Sequence, residues 1–182
     1  MVTSGGTGPF RVAVFLSPAD DDSRFVGAFI ESLSARFATT PFEPHLTLCS
    51  GFCADVSALE EVVVGIAAAT PPLTLRITGV GCDEAYFRTL YIELEGDALL
   101  TGLRKRLGTV IDRSRNLPYL PHLSLLYREM LLADKKKLAQ DIVLDRSAMT
   151  FDSLKVVTPG NIREGWRDTL SWKSVCRVSL AG

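Results

Sequence analysis

Residues 41–48 read PFEPHLTL, and residues 118–125 read PYLPHLSL. The two octapeptides align without a gap at an offset of 77 residues, and they contain the only two histidines of the chain, His45 and His122. Self-similarity at a fixed spacing is the sequence signature of a repeated structural unit. The chain is therefore interpreted as two halves of similar structure, each with one copy of the motif.

The same offset relates the segments that flank the two motifs. Apolar, β-branched and aromatic runs are typical of strands, and apolar residues three and four apart indicate helices. Each half then has the order β-α-β-α-β, with the motif in its second strand. The other elements, first half and then second, are predicted as strands 11–17 and 88–94, helices 23–37 and 98–112, helices 56–69 and 133–144, and strands 73–80 and 149–157.

These elements predict one bilobal α+β domain over residues 1–182, with an approximate internal repeat of 11–80 and 88–157 and a C-terminal strand at 171–180. We expect each half to form a pseudo-symmetric lobe with a small, mostly antiparallel sheet, flanking helices and a site in the central cleft. A parallel doubly wound sheet is the alternative for alternating strands and helices. We discount it because no glycine-rich strand-to-helix turn occurs.

Composition indicates a soluble globular protein. Hydrophobic residues make up 47% of the 182 positions and charged residues 23%, which argues against disorder. No apolar run approaches the roughly 20 residues that span a bilayer, so no membrane partner is expected. The segment Met1 to Pro9 lacks the basic start and apolar stretch of a signal peptide, and we predict a cytoplasmic protein with a loose N-terminus.

The charge balance favours a small ligand. The net charge is −1 and the pI about 6.1, whereas proteins that bind a long nucleic acid usually carry a positive excess. Basic triplets at 104–106 and 135–137 lie in predicted helices and are interpreted as solvated helix faces. We therefore expect no long nucleic acid as a partner, and we expect a monomer.

The cysteines do not indicate a metal site. Four cysteines without zinc-site spacing occur in the chain, at Cys49, Cys53, Cys82 and Cys176. In a reducing cytoplasm we expect free and mostly buried thiols, although three disulfide connectivities remain open. A metal held by the two histidines would need distant carboxylates or thiols as further ligands. No metal and no cofactor is expected.

The motif pairs an imidazole with a hydroxyl. Alternate residues of a strand share a face, so His45 and Thr47 point one way, and His122 and Ser124 do the same in the second copy. The intervening leucines point to the core. If a pseudo-two-fold relates the lobes, both polar faces meet across a cleft. A single such pair carries little information, and the prediction depends on its duplication.

This set of groups suits the opening of a cyclic phosphate. Histidines with a pKa near 6.5 can share one proton, so that one accepts from water while the other donates to the leaving oxygen. Hydroxyls can donate to the non-bridging phosphate oxygens. A structural histidine preserved by duplication is the alternative. Serine-nucleophile chemistry is disfavoured because Ser124 lacks a nucleophile-elbow pattern.

Paired motifs of this kind resemble the two-histidine (2H) phosphoesterase superfamily. The neighbourhood PYLPHLSLLY at 118–127, the helix at 134–140 and Trp172 are similar to the plant and fungal cyclic phosphodiesterases. The resemblance implies a water-filled cleft and hydrolysis of ADP-ribose 1″,2″-cyclic phosphate and of nucleoside 2′,3′-cyclic phosphates to 2′-phosphates. It also implies a role in processing tRNA-splicing by-products, with a small cyclic nucleotide as the substrate.

The resemblance assigns acid–base catalysis to His45 and His122 and phosphate binding to Thr47 and Ser124. Within the pair, we assign water activation to His122 and protonation of the leaving oxygen to His45. Tyr127 matches a family tyrosine expected near the phosphate, which requires the strand to end or twist before it.

Two aromatic residues are further candidates for the substrate site. Tyr86, at the start of the predicted strand to Leu94, and Trp172 could stack on a base or line the cleft, and the alternative for both is a place in the core. The alternative functions are an RNA-end 2′,3′-cyclic phosphodiesterase or 2′,5′-RNA ligase-like enzyme, and a non-catalytic nucleotide-binding module.

Overall fold

The computed structural model describes residues 9–112, 118–159 and 172–181; the predicted loose N-terminus lies largely outside them. Within this part of the chain, seven strands and four helices follow the order β-α-β-α-β twice, with one strand at the end. The elements are β1 (Phe10–Pro18), α1 (Asp20–Phe37), β2 (Leu46–Cys53), α2 (Val56–Ala68), β3 (Leu73–Gly81), β4 (Leu90–Leu94), α3 (Ala98–Leu107), β5 (His122–Leu126), α4 (Leu132–Asp141), β6 (Ala148–Pro159) and β7 (Trp172–Ser179).

The strands form a single antiparallel system, which confirms the α+β class and excludes the parallel alternative for the described residues. Their order is β1-β2-β5-β4-β3-β6-β7, and β1 also pairs with β6. The two motif strands meet at one residue pair, Leu46 opposite Leu123. Because these leucines directly follow His45 and His122, the pairing places the two motifs side by side.

The lobes are not made of contiguous halves, as we had expected them to be. The third strand of each half pairs with the first strand of the other: β3 pairs with β4, and β6 pairs with β1. One lobe thus contains β2, β1, β6 and β7, and the other contains β5, β4 and β3. Because β3 and β6 each pair with a strand of the other half, strand edges are hydrogen-bonded that two separate three-stranded sheets would leave unpaired.

The structural repeat also corrects the sequence alignment of the first strands. Phe15 lies opposite Thr47, and Tyr91 lies opposite Ser124. Since Thr47 and Ser124 are equivalent positions, Phe15 is equivalent to Tyr91, at an offset of 76 rather than 77 residues. A register shift precedes each of the two aromatic residues, because a bulge changes the residue count locally without breaking the sheet.

The motif leucines occupy the core as predicted. Their exposed fractions do not exceed 1% (Leu46, Leu48, Leu123 and Leu125). Both second-half helices end earlier than expected, α3 at Leu107 and α4 at Asp141. Beyond α3 the chain turns so that the backbone of Asp112 pairs with that of Phe52, which a longer helix would prevent.

The interpretation of both basic triplets as solvated faces is wrong for one member of each. Arg104 donates from Nε to the Leu48 carbonyl at 2.9 Å, and its guanidinium lies 3.5 Å from the centre of the Tyr119 ring. Lys135 is only 1% exposed, and its Nζ donates to the carbonyls of Asp83 at 2.8 Å and Glu84 at 3.4 Å. The other members of the triplets are exposed.

None of the four cysteines forms a disulfide; Cys49 and Cys53 are buried, whereas Cys82 and Cys176 are half-buried. None of the helices among the described residues has the length and apolarity needed to cross a bilayer.

The Lys135 contacts predict a measurable contribution to stability. Lys135→Met keeps the aliphatic stem but leaves the carbonyls of Asp83 and Glu84 without their donor, so we expect a loss of about 1–3 kcal/mol in the free energy of unfolding. Urea denaturation measures this loss. The adjacent Lys136→Met, at an exposed position, should change stability by less than about 0.5 kcal/mol, and equal effects of both substitutions would contradict the assignment.

Candidate active site

A backbone carbonyl two residues earlier in the chain holds each of the two histidine rings. Nδ1 of His45 lies 2.7 Å from the Glu43 carbonyl, and Nδ1 of His122 lies 2.7 Å from the Leu120 carbonyl. A carbonyl oxygen only accepts, so Nδ1 must carry the hydrogen. The neutral tautomer then leaves the lone pair on Nε2. In each motif, the carbonyl two residues before the histidine therefore fixes the ring and leaves Nε2 as the nitrogen that can accept a proton.

An aromatic ring from the first strand of its own half supports each imidazole. Phe15 stacks on His45, with ring centroids 3.8 Å apart and an interplanar angle of 22°. Tyr91, at the equivalent position, lies 5.1 Å from His122 at 59°. Sequence reasoning missed both residues, because their proximity to the histidines depends on the strand register.

The electrostatic environments of the two histidines differ. Burial lowers the pKa of His45 to about 4, and the charges of His122 and Lys155 act in the same direction against the opposing influence of Glu43. Burial also lowers the pKa of His122, helped by Arg88 and opposed by the Leu120 carbonyl and Asp83. Both rings are therefore neutral at neutral pH in the empty cleft.

The two predicted phosphate-binding hydroxyls have different surroundings. Thr47 is half-buried between the buried Leu46 and Leu48, and no described residue hydrogen-bonds to its hydroxyl. Ser124 is 5% exposed, and its Oγ donates to the Phe87 carbonyl at 3.0 Å. The Thr47 hydroxyl can donate to a ligand directly, whereas that of Ser124 would first have to leave the Phe87 carbonyl.

Tyr127 follows the last residue of β5 and lies on the Ser124 side of the strand. Its side chain packs face to face on Phe42, with ring centroids 4.0 Å apart. Burial raises the pKa of Tyr127 to about 12. The phenol is thus a hydrogen-bond donor at neutral pH rather than a base.

Tyr86 and Trp172 have different aromatic neighbours, and only Trp172 lies near a histidine in the described ring contacts. Tyr86 is in a short 3₁₀ turn, Tyr86–Arg88, and not at the start of β4 as predicted, because β4 begins only at Leu90. Its ring lies 6.2 Å from that of Tyr127. Trp172 stacks on Phe15 at 5.1 Å and lies 6.5 Å from His45.

Phe42 connects the two groups of rings. It stacks on Tyr127 and meets the His45 ring edge-on, with centroids 6.2 Å apart. Phe42 is within the first motif but was not singled out, although its position three residues before His45 was a usable signal. The equivalent Tyr119 acts differently, since its hydroxyl donates to the Thr47 carbonyl at 3.1 Å.

The family profile of the 2′-5′ RNA ligase superfamily matches residues 18–161. The chain belongs to this superfamily. Membership confirms the resemblance to the two-histidine phosphoesterases and indicates an enzyme that acts on phosphodiester bonds, as a phosphoesterase or in the manner of an RNA ligase. The closer similarity to plant and fungal cyclic phosphodiesterases stays a prediction.

Solved structures share the fold over nearly the whole chain. Escherichia coli LigT in its apo form is 16% identical with a TM-score of 0.55, and the match covers 96% of this chain and 99% of LigT. The protein TT0787 of Thermus thermophilus is also 16% identical, with a TM-score of 0.58 and coverage of 94% and 98%. A search of curated protein sequences gives no significant match.

The contrast between the two histidines can be measured by titration. Because burial and Lys155 oppose its protonation, we expect His45 to stay neutral to about pH 5, while His122 titrates at a higher pH but still below 6.5. NMR of the imidazole signals, assigned with His45→Ala and His122→Ala, provides the measurement. Superimposable titrations of both rings at pH 6.5 would contradict the proposed environments.

Proposed function

We propose that the protein is a metal-independent phosphoesterase that opens 2′,3′-type cyclic phosphates by acid–base catalysis with His45 and His122. The main support for the proposal is that a backbone carbonyl holds Nδ1 of each imidazole in the same way, at neighbouring strands. Both Nε2 atoms therefore remain available to transfer a proton. Membership of a superfamily that acts on phosphodiester bonds supports it.

We assign the base to His45 and the acid to His122, which reverses the assignment made from the sequence. The pKa of about 4 keeps His45 neutral, so it is in the state that accepts a proton. Burial and Arg88 lower the pKa of His122, whereas the Leu120 carbonyl and Asp83 favour its protonated form. A bound phosphate anion raises the pKa of both rings, and the single proton then resides on His122.

In the proposed reaction, water attacks phosphorus opposite the leaving oxygen, and His45 Nε2 takes one proton from the water. The bond between phosphorus and the leaving ribose oxygen breaks, and His122 Nε2–H protonates that oxygen. The Thr47 hydroxyl donates to a non-bridging oxygen, where such donors typically contribute about 3–4 kcal/mol. The product is a phosphate monoester. His45 then releases the proton that it took from the water, and His122 takes up a proton before the next turnover.

The proposed substrates are ADP-ribose 1″,2″-cyclic phosphate and nucleoside 2′,3′-cyclic phosphates, hydrolysed to the 1″-phosphate and to 2′-phosphates. A related fold is known to hold a nucleotide monophosphate, since E. coli LigT, 16% identical with a TM-score of 0.56, was solved in complex with 3′-AMP. We further propose a cytoplasmic monomer that processes by-products of tRNA splicing.

An RNA-end cyclic phosphodiesterase or a 2′,5′-RNA ligase-like enzyme is the second candidate, favoured by the superfamily to which the chain belongs. Such an enzyme would use the same histidines on a polymer. A non-catalytic nucleotide-binding module would keep binding a nucleotide without turnover.

The decisive experiment is phosphorus NMR of 2′,3′-cyclic AMP with the protein in the presence of EDTA. We expect conversion to one monoester, and we expect His45→Ala and His122→Ala each to lower the rate about 10²–10⁴-fold. Lys136→Met serves as the control variant, since the residue is exposed on α4. Loss of activity with EDTA, or full activity of either histidine variant, would sink the mechanism.

The unequal hydroxyls predict unequal kinetic effects. Thr47→Val keeps the shape but removes a free donor, so we expect kcat to fall about 10²-fold. Ser124→Ala should have a smaller effect, because the Ser124 hydroxyl donates to the Phe87 carbonyl instead. Steady-state kinetics with 2′,3′-cyclic AMP compares the two variants, and a larger loss for Ser124→Ala would refute the inferred division of roles.

A further inference from the structure

A pocket of about 90 Å³ opens beside His45 on the side away from His122. The strand order β6-β1-β2-β5 places His122 on β5, whereas this pocket extends over β1 and β6. The strands β1, β6 and β7 and the segment before β2 provide its walls, which include Phe15, Ser17, Glu43, Lys155, Val157 and Trp172. The mechanism described above uses none of these side chains except as support for His45.

Ser17 lines this pocket and has a hydroxyl without a partner among the described residues. The residue is 2% exposed, and its Oγ is buried. A buried hydroxyl without a partner is unfavourable, so a ligand that accepts its hydrogen bond would gain affinity. Ser17 lies two residues after Phe15 on β1, on the same face of the strand.

Lys155 supplies a cation at the same place. It lies opposite Phe15 in the sheet and forms an ion pair with the Glu43 carboxylate. Glu43 also lies 3.5 Å from Arg177, so two cations share one carboxylate and the three side chains together carry a charge of +1. An ammonium has three donors, and the pair with Glu43 leaves donors of Lys155 for another acceptor.

The pocket suits an anion better than a nucleobase. The Phe15 ring is only 5% exposed and is stacked against His45 at 3.8 Å and Trp172 at 5.1 Å, so it offers little surface to a base. The polar side chains that line it include the Ser17 hydroxyl, the Lys155 ammonium and the Glu43 carboxylate, whose charge Lys155 and Arg177 outweigh. The hydroxyl and the ammonium together match the oxygens of a phosphate group.

We propose that this pocket is a subsite for a second phosphate, so that the preferred substrate carries a phosphate in addition to the cyclic one. The proposal rests on the proposed hydrolysis of cyclic phosphates and specifies its substrate class. Lys155 is on β6, which is two strands from β2, so its backbone lies about 10 Å from that strand. Its long side chain extends towards β2, where its ammonium contacts the Glu43 carboxylate. The pocket is thus within reach of a substrate held at His45.

The other lobe lacks an equivalent of this subsite. Gly81 lies opposite Tyr91 as Lys155 lies opposite Phe15, and Glu93 takes the position of Ser17, two residues after the aromatic ring. These two positions therefore provide no cation and add a carboxylate, and the Arg88 cation on this side is paired with Asp83 at 2.7 Å, which disfavours a phosphate there. The second phosphate therefore binds on the His45 side only, which fixes the orientation of the substrate across the pseudo-two-fold.

A kinetic comparison tests the subsite with adenosine 2′,3′-cyclic phosphate and the same compound bearing a 5′-phosphate. We expect kcat/KM to be about tenfold higher for the 5′-phosphorylated compound, as for one charge-assisted hydrogen bond. Lys155→Met and Ser17→Ala should each bring this ratio towards one. Lys155→Arg keeps the charge and should preserve most of the preference.

Matched controls separate the subsite from general effects on folding or charge. Ser34→Ala removes another buried and unpartnered hydroxyl, on α1, and Lys137→Met removes an exposed cation on α4. Both should keep the wild-type ratio. A wild-type ratio near one, or a ratio unchanged in Lys155→Met and Ser17→Ala, would overturn the proposal.

A binding measurement tests the subsite without turnover. Calorimetry with adenosine 2′-phosphate and adenosine 2′,5′-bisphosphate should show about tenfold tighter binding of the bisphosphate, and Ser17→Ala and Lys155→Met should remove the difference. If the difference is found but neither cyclic compound is hydrolysed, the subsite stands and the proposed activity fails. Equal affinities of the wild-type protein for both compounds overturn the subsite itself.

Discussion

The backbone pair Leu46–Leu123 is the contact on which the whole site depends. It is the only residue pair that joins β2 to β5 in the described ladders, and the residues immediately before it are the two histidines. Both leucines are fully buried, so the register is fixed by the core. A slip of one residue would turn His45 or His122 towards the core and the leucine towards the cleft. Pairing of β1 with β6 closes six strands into a ring and holds this contact in place.

A symmetric backbone carries an asymmetric set of side chains. Both histidines are fixed by a carbonyl two residues earlier and supported by an aromatic ring. The carbonyl beside His45 belongs to Glu43, whose carboxylate ties the segment before β2 to Lys155 on β6. The equivalent residue in the second motif is Leu120, whose apolar side chain cannot form an ion pair. The repeat thus provides two equivalent Nε2 atoms, and the differences in sequence between the two copies give them separate environments.

The sequence predicted the elements better than their partners. Period-two alternation and the repeat were sufficient for the motif strands, the core leucines and the histidine pair, because these features depend only on which face a residue occupies. Exchange of β3 and β6 between the lobes, the bulge before Phe15 and the position of Lys155 depend on which strands pair, and local patterns do not specify that choice. Lys135 is an intermediate case, since it lies three residues before the buried Leu138 and so shares its helix face.

The lowered pKa values of both histidines have a consequence for the origin of the catalytic proton. In the proposed mechanism, two neutral imidazoles provide no imidazolium acid at neutral pH before the substrate binds. A phosphate anion between the rings favours protonation, whereas the repulsion between two imidazolium ions opposes a second proton. Binding of the anion and uptake of one proton are therefore coupled, and the complex acquires one acid and one base together. In the proposed mechanism, the stronger lowering of the pKa of His45 by burial then leaves the proton on His122.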